Sequence, residues 1–282
     1  MTKKITTKKF VLAIALILCI SNTSFSQEKK NSVELDFSIN WTFGCYKEMT
    51  FSNISQSFLA PRFQLGSKIY SGNFMHKITA DYFFCKPESA MTEASLVYKN
   101  YDPITGQSYY ESFNSNLAFH RIRLQYDLDY KIRDNEKFDF YLGGNFSCNA
   151  FLQFEHYPSI TGIITVGPAA ALNYKLNENN SFFAACSFPL LGYGIRPPYA
   201  GCDAKLMKYA EEDFIKIFTL GNFLSLHNHQ ALLLELGYKL RASDKFSLGL
   251  GFDFEYGRIA EPKDRPLYYV DGNFKTTATF KF

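Results

Sequence analysis

The chain has 282 residues, a formal net charge of +3 and 17% aromatic residues, among them 29 Phe and 19 Tyr. So small a charge, spread over dispersed Lys and Arg residues, argues against a nucleic-acid partner. Beyond the N-terminal region no stretch is apolar enough for a spanning helix, although the chain is rich in Phe and Tyr. This combination is typical of strands that alternate apolar and polar residues, and the length fits one all-β domain.

The N-terminus has the order of a secretory signal peptide, in which a basic stretch and an apolar run precede a polar cleavage region. The apolar run at 10–20 has eleven residues, too few for a helix that crosses a bilayer, which needs about 20. Small residues near the end of the region predict a signal peptide at 1–26 and a mature chain at 27–282. Acylation of Cys19 is the alternative, but bulky Leu18 precedes it.

Strands are predicted from a period of two, because successive side chains of a strand point to opposite faces. The clearest window is 122–132, where Ile, Leu and Tyr alternate with Arg, Gln, Asp and Lys. A helix would repeat its apolar residues at three and four positions instead. Ten windows follow the pattern, beginning at Val33, Phe63, Phe74, Ile122, Phe138, Gly162, Phe182, Leu232, Phe246 and Phe274.

The connections between these windows alternate in length. Short turns are predicted at 71–73, 133–136, 177–180 and 242–245, and long connections at 44–57, 86–115, 155–161, 192–230 and 258–271. This alternation predicts an up-and-down antiparallel barrel of about ten strands, with all the short turns at one end. Residues 213–226 could form an eleventh strand or a short helix, but we assign them to a long loop. Eight or twelve strands are the alternatives.

Three features favour a transmembrane barrel over a soluble barrel with an apolar interior. The better strands are long enough to cross the hydrocarbon when tilted, and aromatic residues such as Trp41, Tyr82 and Tyr256 lie near strand ends. The chain also ends on TTATFKF, with Phe280 and Phe282 on one face. It thereby resembles the small porin-like outer-membrane β-barrels of Gram-negative bacteria. The resemblance implies an outer-membrane location, a lipid environment and recognition by the barrel insertion machinery.

If the apolar face meets lipid, the polar face lines the interior, and it carries charges of both signs. The residues predicted to line the lumen are Arg121, Arg123, Asp127, Asp129, Lys131, Glu235, Lys239, Arg241, Asp253 and Glu255. An interior of eight to ten strands is just wide enough for side chains to fill. We therefore expect paired charges that plug the lumen, with a narrow pore as the alternative.

The sequence predicts no catalytic residue, cofactor or metal site. The best cluster is His227 and His229 with the nearby acidic residues Asp203, Glu211, Glu212 and Asp213. Two His two residues apart on a strand share a face and could bind zinc, but no third ligand is identifiable. Solvated or hydrogen-bonded His is the expected alternative.

Five Cys remain in the predicted mature chain: Cys45, Cys85, Cys148, Cys186 and Cys202. An odd number without CxxC spacing argues against a metal cluster and a full disulfide framework. Cys148 and Cys186 fall on the apolar face and are expected to act as small hydrophobic residues. One disulfide among the other three is the alternative left open.

Three functions fit these observations. The first is a structural, porin-like or surface-binding outer-membrane barrel with a charged, plugged or narrow lumen. The second is an outer-membrane enzyme, a protease or lipid deacylase, with its site at the extracellular rim. The third is a secreted soluble barrel that carries an apolar ligand.

Overall fold

The computed structural model describes residues 32–49, 55–86, 88–89, 96–101, 108–113, 118–154, 159–196, 208–209, 212, 214–261 and 263–282. Side chains are described in these ranges except at 88–89, 96–101, 108–113, 134, 153–154, 159 and 214–215. The predicted signal peptide at 1–26 lies outside the described residues.

Ten antiparallel strands close into a barrel, as the alternation predicted. They are β1 Ser32–Glu48, β2 Gln56–Ser71, β3 Phe74–Cys85, β7 Ala118–Asp134, β8 Phe138–Phe154, β9 Ser159–Lys175, β10 Asn180–Ser187, β13 His229–Arg241, β14 Phe246–Ile259 and β15 Leu267–Lys281. Each pairs with its neighbours in this order, and β15 pairs with β1 to complete the circle.

Additional strands lie at the end of the barrel that carries the long connections. They are β4 Glu88–Ser89, β5 Leu96–Tyr101, β6 Ser108–Phe113, β11 Leu191–Ile195 and β12 Asn222–Ser225. β4 pairs with β2, and β5 pairs with β6 as a separate hairpin. β11 continues β10 along β9 and also pairs with β12.

The segment predicted as a loop at 213–226 does not form an eleventh barrel strand. It contains a 3-10 helix at Phe214–Leu220 and ends in β12. In the part of the chain that the structure describes, no helix has the length and apolar character needed to cross a membrane.

The strands are strongly tilted, as the register shows. Following paired residues once around the barrel passes Ser32, Tyr70, Met75, Asp129, Gly143, Ala169, Ser187, Leu233, Glu255, Asp271 and Gly44. The path returns to β1 at Gly44, 12 residues beyond its start at Ser32. Ten strands with this shear correspond to a tilt of about 40° from the barrel axis.

Short turns occupy one end of the barrel, as predicted, and we call this the turn end. Gly72 and Asn73 form the tightest turn, and Gly72 has a φ of 62°, which a residue without Cβ adopts at no steric cost. The opposite end, with the long connections, is the loop end. Strands reach further toward it than the sequence predicted, since β1 continues to Glu48 and β15 already begins at Leu267.

Apolar side chains face outward and polar ones inward. Ile39 and Leu59 are 64% and 68% exposed, whereas Asn40 and Arg62 are 0% and 1% exposed. This is the reverse of a soluble barrel that encloses an apolar ligand. On β1 the outward apolar residues run from Val33 to Phe43, which at this tilt makes a band about 25 Å tall.

Candidate functional site

The centre of the interior holds a closed ring of alternating charges, which we call the arginine–carboxylate ring. Its members, in order around the ring, are Asp81, Arg123, Glu255, Arg121, Asp271 and Arg62. They come from β2, β3, β7, β14 and β15, so the ring joins opposite walls of the barrel. Three positive and three negative groups make it neutral.

The contacts within the ring are short and charge-assisted. Arg123 donates to Asp81 Oδ2 at 2.7 Å and to Glu255 Oε2 at 2.9 Å. Arg121 donates to Asp271 Oδ2 at 2.8 Å and also bonds Glu255 Oε1. Arg62 donates from Nε to Asp81 Oδ1 at 3.0 Å and lies 3.7 Å from Asp271 Oδ1. The ring is therefore held by directed hydrogen bonds as well as by charge.

All six ring side chains are buried. A buried charge without its partner costs several kcal/mol, because protein replaces the water that stabilised it. In the ring each guanidinium contacts two carboxylates, and each carboxylate contacts two guanidinium groups. Every charge in the complete ring therefore has two partners of opposite sign. Loss of one member leaves each of its two neighbours with one ring partner instead of two.

An aromatic layer covers the ring on the side of the loop end. Its rings belong to Tyr46, Phe58, Phe83, Phe119, Phe151 and Tyr269, with neighbouring centroids 4.7 to 6.3 Å apart. Ile163, Leu224, Ile259 and Leu267 fill the space around them. The Arg121 guanidinium carbon lies 5.0 Å and 5.3 Å from the centroids of Phe151 and Tyr269, so ring and layer are in direct contact.

A salt bridge lies beyond the aromatic layer, where β1 and β11 end. Arg196 donates through Nε to Glu48 Oε2 at 3.0 Å and through Nη2 to the other carboxylate oxygen. It also donates to the carbonyl oxygens of Glu261 at 2.8 Å and Arg265 at 2.5 Å. Because both charged side chains are buried, this arginine ties three loop-end segments together over the lumen.

The half of the interior nearer the turn end is polar and less tightly enclosed. Lys77 and Lys275 both bind Glu235, and Lys275 also lies 3.0 Å from Asp253. Further ion pairs join Lys68 to Asp36, Lys239 to Glu34, and both Lys131 and Lys175 to Asp139. Several of these lysines are half-buried, so this half of the lumen is wetter than the half that holds the arginine–carboxylate ring.

The structure places the ten residues predicted to line the lumen as follows. Arg121, Arg123, Asp127, Asp129 and Glu255 are buried inside the barrel, and Lys131, Glu235, Lys239 and Asp253 are half-buried there. Arg241 lies at the turn end, where its side chain is 45% exposed and pairs with Asp244. Only Arg121, Arg123 and Glu255 of this set belong to the arginine–carboxylate ring.

The His pair does not form the shared face that its spacing predicted, because His227 lies within a turn at 226–228 and His229 begins β13. His227 is exposed and contacts Ser225 Oγ, whereas His229 is buried at the start of β13. Glu212 is exposed; Asp203, Glu211 and Asp213 lie outside the described residues. Within the described ranges no group of three or more His, Cys, Asp or Glu side chains is placed to hold a metal.

The cysteines are free thiols wherever the structure describes them. Cys45 and Cys186 are exposed on the outer face, Cys148 is half-buried, and Cys85 is buried beside the aromatic layer. Cys202 lies outside the described residues, so a disulfide to it stays a prediction.

Sequence reasoning missed the loop-end half of the interior. Tyr46, Asp271 and Arg196 were assigned to long connections, and the inward Phe83 was not recognised. A signal for the layer was present in the run Tyr82–Cys85, where both faces of the strand are apolar, as in strands buried on both sides. No comparable local signal identified Arg196, since its partners come from two segments that are distant in the sequence, the end of β1 and the connection between β14 and β15.

Comparisons with known proteins identify the fold. No family model and no curated protein sequence matches the chain. Among solved structures, the outer membrane protease OmpT from Escherichia coli aligns with a TM-score of 0.52 and 8% identity, covering 92% of this chain and 99% of that one.

Two further structures align with lower scores. Neisserial surface protein A aligns at 10% identity with a TM-score of 0.34, covering 90% of this chain and 98% of that one. An outer membrane channel from Pseudomonas putida F1 aligns at 8% identity with a TM-score of 0.38, covering 91% and 97%. Ten closed strands, an outward apolar band and the alignment with OmpT agree: the chain has the fold of the outer-membrane β-barrel proteins.

Proposed function

We propose that this chain is an outer-membrane barrel, exported by a cleaved signal peptide, whose lumen is sealed and which acts as a rigid scaffold for its loop end. The location is supported by the outward apolar band, whose height matches the apolar girdle of membrane barrels. Aromatic residues such as Trp41, Phe43 and Tyr82 lie toward its loop-end edge, where such side chains meet lipid headgroups.

The observation that supports a sealed lumen is the position of the arginine–carboxylate ring directly under the aromatic layer. An ion that crossed the ring would have to displace guanidinium–carboxylate contacts of 2.7 to 3.0 Å in a site without exposed charge. It would then meet a layer of closely packed aromatic rings, in which the only polar side-chain groups are the hydroxyls of Tyr46 and Tyr269. Barrels of this size have side-chain-filled interiors, and open channels need about sixteen strands.

Sealing at the loop end leaves the surface made by the long connections as the place where function is exerted. The barrel anchors these connections firmly, since Arg196 binds Glu48 and two loop carbonyls. A stiff platform suits binding at a cell surface, because less conformational entropy is lost when the partner docks.

Conductance in planar bilayers tests the proposal. The wild-type protein should show no steady channel openings. A charge-neutral variant that combines Arg121→Ser, Glu255→Ser, Phe119→Ala and Phe151→Ala should show them, because it removes one ring pair and two aromatic side chains. The control is the exposed pair changed by Arg241→Ser and Asp244→Ser, which should stay closed.

Steady openings of the wild-type protein would contradict the proposal, whatever the variants do. Folding of each variant is checked first by heat-modifiable migration on gels. If the fourfold variant does not fold, the wild-type recording and the control still decide the question.

A further inference from the structure

Two basic side chains lie on the outer face of the barrel, just beyond the apolar band at the loop end. They are Lys47 on β1 and Arg258 on β14. Their chain neighbours Glu48 and Ile259 are 5% and 2% exposed inside the barrel. Because successive strand side chains alternate between faces, Lys47 and Arg258 point outward. The register pairs both with Tyr268 on β15, which lies between them on the same face. We call Lys47, Tyr268 and Arg258 the basic row.

Within the basic row the arginine leans toward the lysine. Arg258 donates from Nε to the Tyr268 hydroxyl at 3.4 Å, and its guanidinium carbon lies 5.8 Å from the centroid of the tyrosine ring. The Cα atoms of Lys47 and Arg258 are about 10 Å apart, since two strand spacings of about 4.8 Å separate them. The two long side chains can therefore reach one small anion placed over the tyrosine.

Among the residues whose side chains the structure describes, neither cation of the basic row forms a salt bridge. The acidic side chains nearest in the sequence have other surroundings. Glu48 is buried and bound by Arg196. Asp264 pairs with Arg265 at 3.6 Å, and Glu261 lines a small pocket together with Arg196. Over the described side chains, the basic row therefore presents two positive charges that no carboxylate compensates.

The apolar band begins directly below the basic row. On β15 the outward positions are Val270, Gly272 and Phe274, and the register places Phe43 and Phe252 beside them. The three Phe rings have centroids 5.2 to 6.5 Å apart. A Cβ at Gly272 would lie 2.6 Å from Phe43 Cζ, so the glycine lets that ring lie over β15. From the basic row to Phe274 this apolar surface runs about 20 Å along the strand.

We propose that the basic row binds the phosphate of a lipid with a phosphomonoester headgroup, while the acyl chains of that lipid lie on the apolar surface below it. The proposal rests on the membrane location proposed above. Phosphate forms strong charge-assisted hydrogen bonds with Arg and Lys, and two cations match its charge at neutral pH. Tyr268 lies where aromatic side chains meet lipid headgroups. The occupant is a lipid and not free phosphate, because only a lipid also covers the apolar surface that continues from the row into the band.

The test is native mass spectrometry of the full chain folded in detergent. The probes are dioleoyl phosphatidic acid and dioleoyl phosphatidylcholine, which share their acyl chains and differ in the headgroup. The wild-type protein should bind the first phosphatidic acid about twentyfold more tightly than the first phosphatidylcholine. Lys47→Gln and Arg258→Gln should each weaken the binding of phosphatidic acid about fivefold, and together they should abolish the preference. The matched control combines Lys137→Gln with Lys245→Gln, which removes two exposed lysines at the turn end and should keep the preference.

Three results would overturn the proposal. In the first, the wild-type protein binds both lipids equally well. In the second, the control variant loses the preference as completely as the variant without Lys47 and Arg258, which would mean a general attraction between charges. In the third, inorganic phosphate displaces phosphatidic acid at equal concentration, which would mean that the acyl chains contribute nothing. Heat-modifiable migration on gels checks that each variant is folded. The membrane location and the sealed lumen are tested separately, by bromine quenching of Trp41 and by conductance.

Discussion

Replacing Glu255 with Gln tests whether the arginine–carboxylate ring stabilises the barrel. The substitution keeps the shape of the side chain and removes one charge. Glu255 accepts from Arg123 at 2.9 Å and also bonds Arg121, and all three are buried. Arg121 and Arg123 then each lose one carboxylate partner in a buried site. Breaking a buried pair costs about 3 to 5 kcal/mol, and we expect a loss of that size in the free energy of unfolding.

The assay is urea unfolding of the detergent-folded protein, followed by Trp fluorescence and by gel mobility. The matched control is Arg241→Gln, which breaks an ion pair whose carboxylate is 92% exposed and should cost less than about 1 kcal/mol. The double variant Arg123→Met with Glu255→Gln restores neutrality, so it should be more stable than the sum of its single changes predicts. A Glu255→Gln loss no larger than that of Arg241→Gln would mean that the arginine–carboxylate ring stabilises the barrel no more than an exposed ion pair does.

Two further predictions concern the loop-end half. Gly257→Ala should lower the free energy of unfolding by about 1 to 3 kcal/mol, because the new Cβ would lie 2.0 Å from Tyr269 Cζ in the aromatic layer. The control is Gly162→Ala, whose Cβ would have no atom within 4 Å and which should leave the free energy of unfolding unchanged. Arg196→Met should destabilise the chain by about 3 to 5 kcal/mol, because it removes a buried salt bridge to Glu48, and Glu48→Gln in the same chain should recover part of this loss. No recovery would mean that the contacts of Arg196 with the loop carbonyl oxygens dominate.

The ten barrel strands were predictable because each strand has one face toward the polar interior and the other toward the apolar outer surface of the barrel. That environment imposes a strict period of two, as between Ile122 and Ile132. Alternating connection lengths then fixed which strand ends lie together. Neither signal depends on long-range contacts, so both are readable from local sequence.

The loop-end interior was less predictable, because there the period of two breaks down. Phe83 and Phe84 are both apolar, yet one packs in the aromatic layer and the other faces outward. For the same reason the strands were predicted too short at the loop end, which left Asp271 in a loop and out of the arginine–carboxylate ring. Which inward charges pair depends on the shear of 12 residues, and this quantity is set by all ten strands together.

The single Trp of the chain offers the most direct test of whether the apolar face of the barrel meets lipid. Trp41 is 58% exposed on the outer face of β1, within the apolar band. Its fluorescence should be strongly quenched when the protein is folded into bilayers of brominated lipids, and only weakly by iodide in the water. Strong iodide quenching without a bromine effect would place Trp41 in water and contradict a barrel whose apolar face meets acyl chains.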